Sequence, residues 1–161
     1  LAAITLPRRI AEKVRQEAEK QGLSIEEYVI ELLSQGLDPS TRAISYIEAA
    51  EALLRQAREE LGKGDVRQAA EKLWGAAALA VKAYASWRDG KRLASHRELW
   101  EYSKKAAREL GDWVYEAWNQ ASGMHICFYE DWCTEEHVEA ALRVIDRLVQ
   151  EIKARMRTSL S

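Results

Sequence analysis

The chain is poor in residues that break helices. Its 161 residues include two prolines and eight glycines, so long uninterrupted helices are permitted over most of its length. It has two cysteines, Cys127 and Cys133, too few for a disulfide framework. No basic segment followed by an apolar run and a cleavage site stands at the start, so a cytoplasmic location is expected. Every alanine-rich stretch is cut by charge within two turns, and none reaches the ~20 apolar residues needed to span a bilayer. A membrane role is therefore not expected. Positive charge is not in excess either: the net charge is −2 and the isoelectric point about 6.0. That excludes the broad positive field of a protein held to nucleic acid mainly through phosphates, so any nucleic-acid surface must be local.

What is present is 47% hydrophobic and 31% charged residues, the balance of a compact, mostly helical protein. The length suits one core, or a core of about 120 residues with a small module attached. The first segment, "AAITLPRRIAEKVRQEAEKQGLSIEEYVIELLSQGL", predicts a short strand and then two helices. Ile10, Val14 and Ala18 share one face of the first helix. Ser24 and Glu27 have the spacing of a capping box for the second, which Tyr28, Val29, Leu32 and Leu33 line. Gly36 ends it, and Asp38 with Pro39 opens the next helix, so a module boundary is expected at residues 36–38.

Beyond that boundary, Tyr46, Ala49, Leu53, Ala57 and Leu61 form one buried helical face. Asp65 and Gln68 open "VRQAAEKLWGAAALAVKAYASW", whose dense alanines let neighbouring helices come close and mark it as a central helix. Ser95 with Glu98 forms a further capping box. Gly111 and Asp112 read as a break or restart, and Thr134 opens the last helix, which carries Val138, Ile145, Leu148 and Ile152. The expected fold is all-α, with a bundle of four to five helices over residues 38–161 preceded by a strand and two helices over residues 1–37.

The order strand, helix, glycine turn and capped helix resembles a ribbon-helix-helix module. The resemblance implies a homodimer, because a lone strand leaves its backbone groups unpaired until a twin supplies the mate. Ile4 and Leu6 would face the core and Ala3 and Thr5 would point outward, and neither outward residue is suited to reading base edges. The segment holds five basic residues against six glutamates, so a dimerisation clip is favoured over a DNA-binding regulator.

The order of "AEALLRQAREELGKGDVRQAAEKLWGAAALAVKAYA", "SHREL", "MHICFYEDW" and a final amphipathic helix resembles the archaeal PaREP family of the HEPN-like helical superfamily. Its most specific parts are "KGDVRQAAEKLWGAA" and "HICFYEDW". The resemblance implies a self-pairing bundle and, for catalytic members of the superfamily, a metal-independent ribonuclease. Such members carry an arginine, often followed by a polar residue, then a histidine after a gap of four to six residues. Histidine moves the proton of a ribose hydroxyl, and the arginine fork steadies the phosphate. Here the pattern falls on Trp118, Asn119 and His125, so the polar residue and the histidine are kept and the arginine is not.

Two other constellations were weighed. Lys91, Arg92, His96 and Arg97 surround a helix start, where free amides favour a phosphate or nucleotide. His125, Cys127, Cys133 and His137 are zinc-type donors, but their spacing argues against a metal site. The aromatics Trp113, Trp118, Phe128, Tyr129 and Trp132 are expected in the core. The favoured reading is a non-catalytic dimer without cofactor that binds RNA, a nucleotide or an antitoxin-like protein. The alternatives are a ribonuclease using His125 with Asn119, and a ribbon-helix-helix regulator.

Overall fold

The computed structural model describes residues 2–158 and is all-α. Helices α1 (Arg8–Lys20) and α2 (Ile25–Leu33) form a hairpin, closed by a 3-10 turn at Ser34–Gly36. Five longer helices follow: α3 (Pro39–Gly62), α4 (Val66–Asp89), α5 (His96–Leu110), α6 (Trp113–Glu130) and α7 (Glu135–Thr158). The seven α-helices among the described residues depart from the expected strand and bundle of four to five. No strand forms among the described residues. A single extended segment has no backbone partner within its own chain, and Ile4 and Leu6, expected to face the core, are exposed.

Capping chemistry sets the helix boundaries. Asp38 accepts the Thr41 amide at 2.9 Å with Pro39 in the first turn, and Asp65 accepts the Gln68 amide at 3.1 Å. Ser95 and Glu98 complete a reciprocal capping box at the start of α5. At α2 the box is only half made: Ser24 accepts the Glu27 amide at 3.0 Å, while the Glu27 carboxylate turns to Lys82.

Helix α4 runs through the centre. Its residues from Ala69 to Ser86 are buried, apart from Glu71 and Lys72, and it packs on α3, α5, α6 and α7. Small side chains permit this crowding. A Cβ added at Gly75 would lie 2.8 Å from Leu53 Cδ1, so glycine lets α3 approach. The core continues through Ile145, Leu148 and Ile152 of α7 and Trp118 of α6.

Several aromatics depart from the expected core. Trp118 is buried, Trp113 and Phe128 are half-buried, and Tyr129 and Trp132 are exposed. The cysteines are joined as Cys127–Cys133, with Cα atoms 5.7 Å apart, so although two cysteines make no framework, a short staple closes the α6–α7 corner. Asp131 adopts a left-handed conformation inside that corner and gives its amide to the Cys127 carbonyl at 2.7 Å. No helix among the described residues is long and apolar enough to cross a membrane.

Candidate functional site

The turn joining α1 to α2 stands over α4, α5 and α6, and two adjoining cavities lie beneath it. The smaller, about 330 Å³, is lined by Glu27, Glu31, Lys82, Arg92 and His96 among others. The larger, about 500 Å³, includes Arg15, Glu71, Lys72 and Tyr129. Gly22, Leu23, Glu27 and Trp74 border both. On α4, Glu71, Trp74, Ala78 and Lys82 recur at three- and four-residue intervals, so one stripe of that helix floors the cleft.

Trp74 organises the site. The His125 ring stacks on it at 4.9 Å between centroids and the His96 ring at 5.6 Å, while the two imidazoles lie 5.8 Å apart. A triangle with such similar sides puts both imidazoles on the same side of the indole. Trp118 packs against Trp74 at a tilt, 5.3 Å between centroids, and Trp100 meets Trp118 edge-on at 5.9 Å. Tyr129 packs its ring edge-on against His125 at 5.2 Å.

His125 Nδ1 lies 3.2 Å from Glu71 Oε2. A carboxylate only accepts, so the imidazole donates from Nδ1, and proton exchange with a ligand falls to Nε2. The side chain keeps 22% of its surface accessible, enough to meet a ligand. His96 has a different setting. Although largely exposed, it is partly desolvated, and this holds its imidazole below the ordinary value of 6.5, helped by positive charge at His125 and Lys82.

A charged network closes the smaller cavity. Lys82 donates to Glu27 at 2.5 Å and to Glu31 at 3.1 Å. Arg92 donates twice to Glu31 Oε2, at 3.0 and 2.8 Å, and the Tyr46 hydroxyl donates to Oε1 at 2.5 Å. Burial would lower the Lys82 value, but the two carboxylates outweigh it and raise it.

The expected phosphate cradle is therefore dispersed. Arg92 is committed to Glu31, Arg97 pairs with Glu101 along an exposed turn at 3.1 Å, and His96 lies on Trp74. Lys91 is exposed in the loop before α5. Asn119 is also exposed, and six residues of helix place it about 120° around the axis from His125. The structure does not bring that pair together. Trp118, the residue that the resemblance sets against an arginine, is 1% exposed, and its indole Nε1 is buried without a hydrogen-bond partner. His137 caps α7 by accepting the Thr134 amide at 3.0 Å. No group of three or more histidine, cysteine or acidic side chains among the described residues is arranged to hold a metal.

Glu71 and Trp74 were missed in the sequence, where Glu71 lies 54 residues from its histidine. A signal did exist for Lys82, a charge inside an alanine-rich central helix. Comparison with known proteins adds a relationship to this geometry. A crystal structure of a protein from Sulfolobus solfataricus superposes with a TM-score of 0.59 at 27% identity, covering 66% of this chain and 94% of the other. No curated protein matches. Residues 45–149, well over half of the chain, match the Archaeal PaREP1/PaREP8 family, and the chain belongs to that family.

Proposed function

We propose that this chain is a homodimeric HEPN-like helical protein that cleaves RNA without a metal, with His125 as a proton-transfer group. Residues 1–37 are its dimerisation module and residues 38–161 its bundle. The carrying observation is the Glu71–His125 pair at 3.2 Å beside the cleft: a carboxylate on Nδ1 holds the tautomer that leaves Nε2 for a substrate. The substrate class is single-stranded RNA, whose 2′-hydroxyl attacks the adjacent phosphorus. Lys72 and Arg15 line the larger cavity next to Glu71 and supply positive charge in place of the arginine replaced by Trp118. The N-terminal module serves as a clip rather than a DNA reader, since Ala3 and Thr5 lack the basic or amide groups that read base edges in pairs of hydrogen bonds.

The test is incubation of the purified protein with a labelled single-stranded RNA in a chelator. The expected result is a 2′,3′-cyclic phosphate product, abolished by His125→Ala with the thermal midpoint unchanged. A second reading, a non-catalytic dimer that binds RNA, a nucleotide or an antitoxin-like protein, is favoured by the burial of Trp118 at the arginine position. RNA that is bound but left intact by the wild type would establish it and overturn the ribonuclease.

A further inference from the structure

Cleavage of a phosphodiester by neighbouring-hydroxyl attack needs two proton transfers, one from the entering oxygen and one to the leaving oxygen. His125 alone supplies one of them. We propose that His96 is the second group, taking the proton of the ribose 2′-hydroxyl while His125 delivers a proton to the departing 5′ oxygen; this rests on the ribonuclease reading above. The 2′ oxygen forms a bond to phosphorus as the bond from phosphorus to the 5′ oxygen breaks, giving a cyclic phosphate and a free 5′-hydroxyl. One proton is taken and one is given. His96 is exposed, so water restores the starting protonation of both rings.

Placement comes first. His96 and His125 arise from different helices, α5 and α6, yet lie side by side over one indole with centroids 5.8 Å apart. Rings at that spacing put their outer nitrogens within reach of the entering and leaving oxygens of a single phosphodiester. Both rings are held: His125 by Glu71, Trp74 and Tyr129, and His96 by Trp74 and by its place in the capped first turn of α5. Preorganisation of this kind is what proton transfer between fixed groups requires.

The surroundings then divide the labour. Facing the pair are Glu71 and Lys82 from α4, Tyr129 from α6, Glu27 and Glu31 from α2 across the smaller cavity, and Arg92 from the preceding loop. Lys82 and Arg92 are paired to Glu27 and Glu31, which weakens but does not cancel the positive charge that reaches the rings from that side. Glu71 engages His125, whereas partial desolvation and the charges of His125 and Lys82 favour a neutral His96, the form a base must have.

The test uses full-length protein, a single-stranded RNA oligonucleotide and the pH dependence of kcat and kcat/KM, on wild type, His96→Ala and His96→Phe. The wild type should show a bell-shaped profile. His96→Ala should lower kcat by about 100-fold or more with little change in KM, and should remove the acid limb of the profile. His96→Phe keeps a ring on Trp74 but moves no proton, and should be as impaired as the alanine variant. Full activity in His96→Phe would make His96 a packing residue and overturn the proposal. So would a rise in KM in His96→Ala with kcat and profile unchanged, the mark of a phosphate holder. In both cases loss of cleavage in His125→Ala would leave the ribonuclease reading standing; a wild type that cleaves no RNA ends both.

Discussion

Lys82 of α4 reaches across to Glu27 of α2 with 2.5 Å between Nζ and Oε1, and both side chains are almost fully withdrawn from water. Together with Glu31 and Arg92 they fasten the N-terminal hairpin to the bundle and fix one wall of the cleft. Breaking a buried pair from one side strands the other charge, at a cost of about 3–5 kcal/mol. Lys82→Met should therefore lower the unfolding free energy by roughly that amount in urea titration. If Glu27→Gln and Glu31→Gln are added, much of the loss should return, because no buried carboxylate is then left unpaired.

The same network sets an acid dependence. Burial alone would raise the Glu31 carboxyl, but Lys82 and the hydrogen bonds from Tyr46, Arg92 and Lys82 hold it below 4.5. Its contribution is thus complete above the unfolded value and is lost as pH falls through the lowered folded one. Glu27 has the opposite sign: burial raises it against the pull of Lys82, so its protonation favours the folded state as pH drops. Urea titrations at a series of acid pH values should show a loss of stability below about 4.5 that Glu31→Gln reduces.

The elements of the body were legible because local rules and packing agree there. Asp38–Pro39, Asp65–Gln68 and Ser95–Glu98 mark helix starts that the structure keeps, and the alanine-rich helix from Val66 is central. His125 drew attention in the sequence only through the resemblance to the superfamily's arginine-histidine pattern. Its partners were not legible. Glu71 is 54 residues away, and His96 read as a member of a phosphate cradle; only the crossing of α4, α5 and α6 puts all three around Trp74. Asn119 lies apart from His125 for a related reason, since closeness in a helical sequence is not closeness on one face.

Close approach of α3 and α4 depends on the missing side chain at Gly75. A new Cβ would sit 2.8 Å from Leu53 Cδ1, and Leu53 is itself fully buried, with little room to yield. In an exposed helix, glycine to alanine gains up to about 1 kcal/mol. Here overpacking reverses the sign, and Gly75→Ala should destabilise by about 1–3 kcal/mol in chemical denaturation. Adding Leu53→Ala makes space for the new methyl group, so the double variant should be more stable than the sum of the single changes predicts. Strict additivity would show that the contact does not limit the helix approach.

The hairpin leaves its apolar residues uncovered. Ile4 is 84% exposed, Leu32 60% and Leu33 59%, with Ile10, Ile25 and Val29 also open to solvent, although periodicity had marked the α2 residues as a buried stripe. Residues 25, 29, 32 and 33 fall on one face of α2. An apolar face of this kind normally marks an interaction site, and a second copy of the hairpin offers an equally apolar face and little charge repulsion, with five basic residues against six glutamates. Burying a leucine contributes roughly 2 kcal/mol, and a two-fold contact counts each leucine twice. Light scattering should therefore give twice the 18.4 kDa chain mass for the wild type. The double variant Leu32→Glu, Leu33→Glu should shift to the chain mass while its helical circular dichroism is retained, because neither leucine belongs to the core of the bundle. A wild type that stays at the chain mass at micromolar concentration would remove the homodimer and leave this face for a different partner.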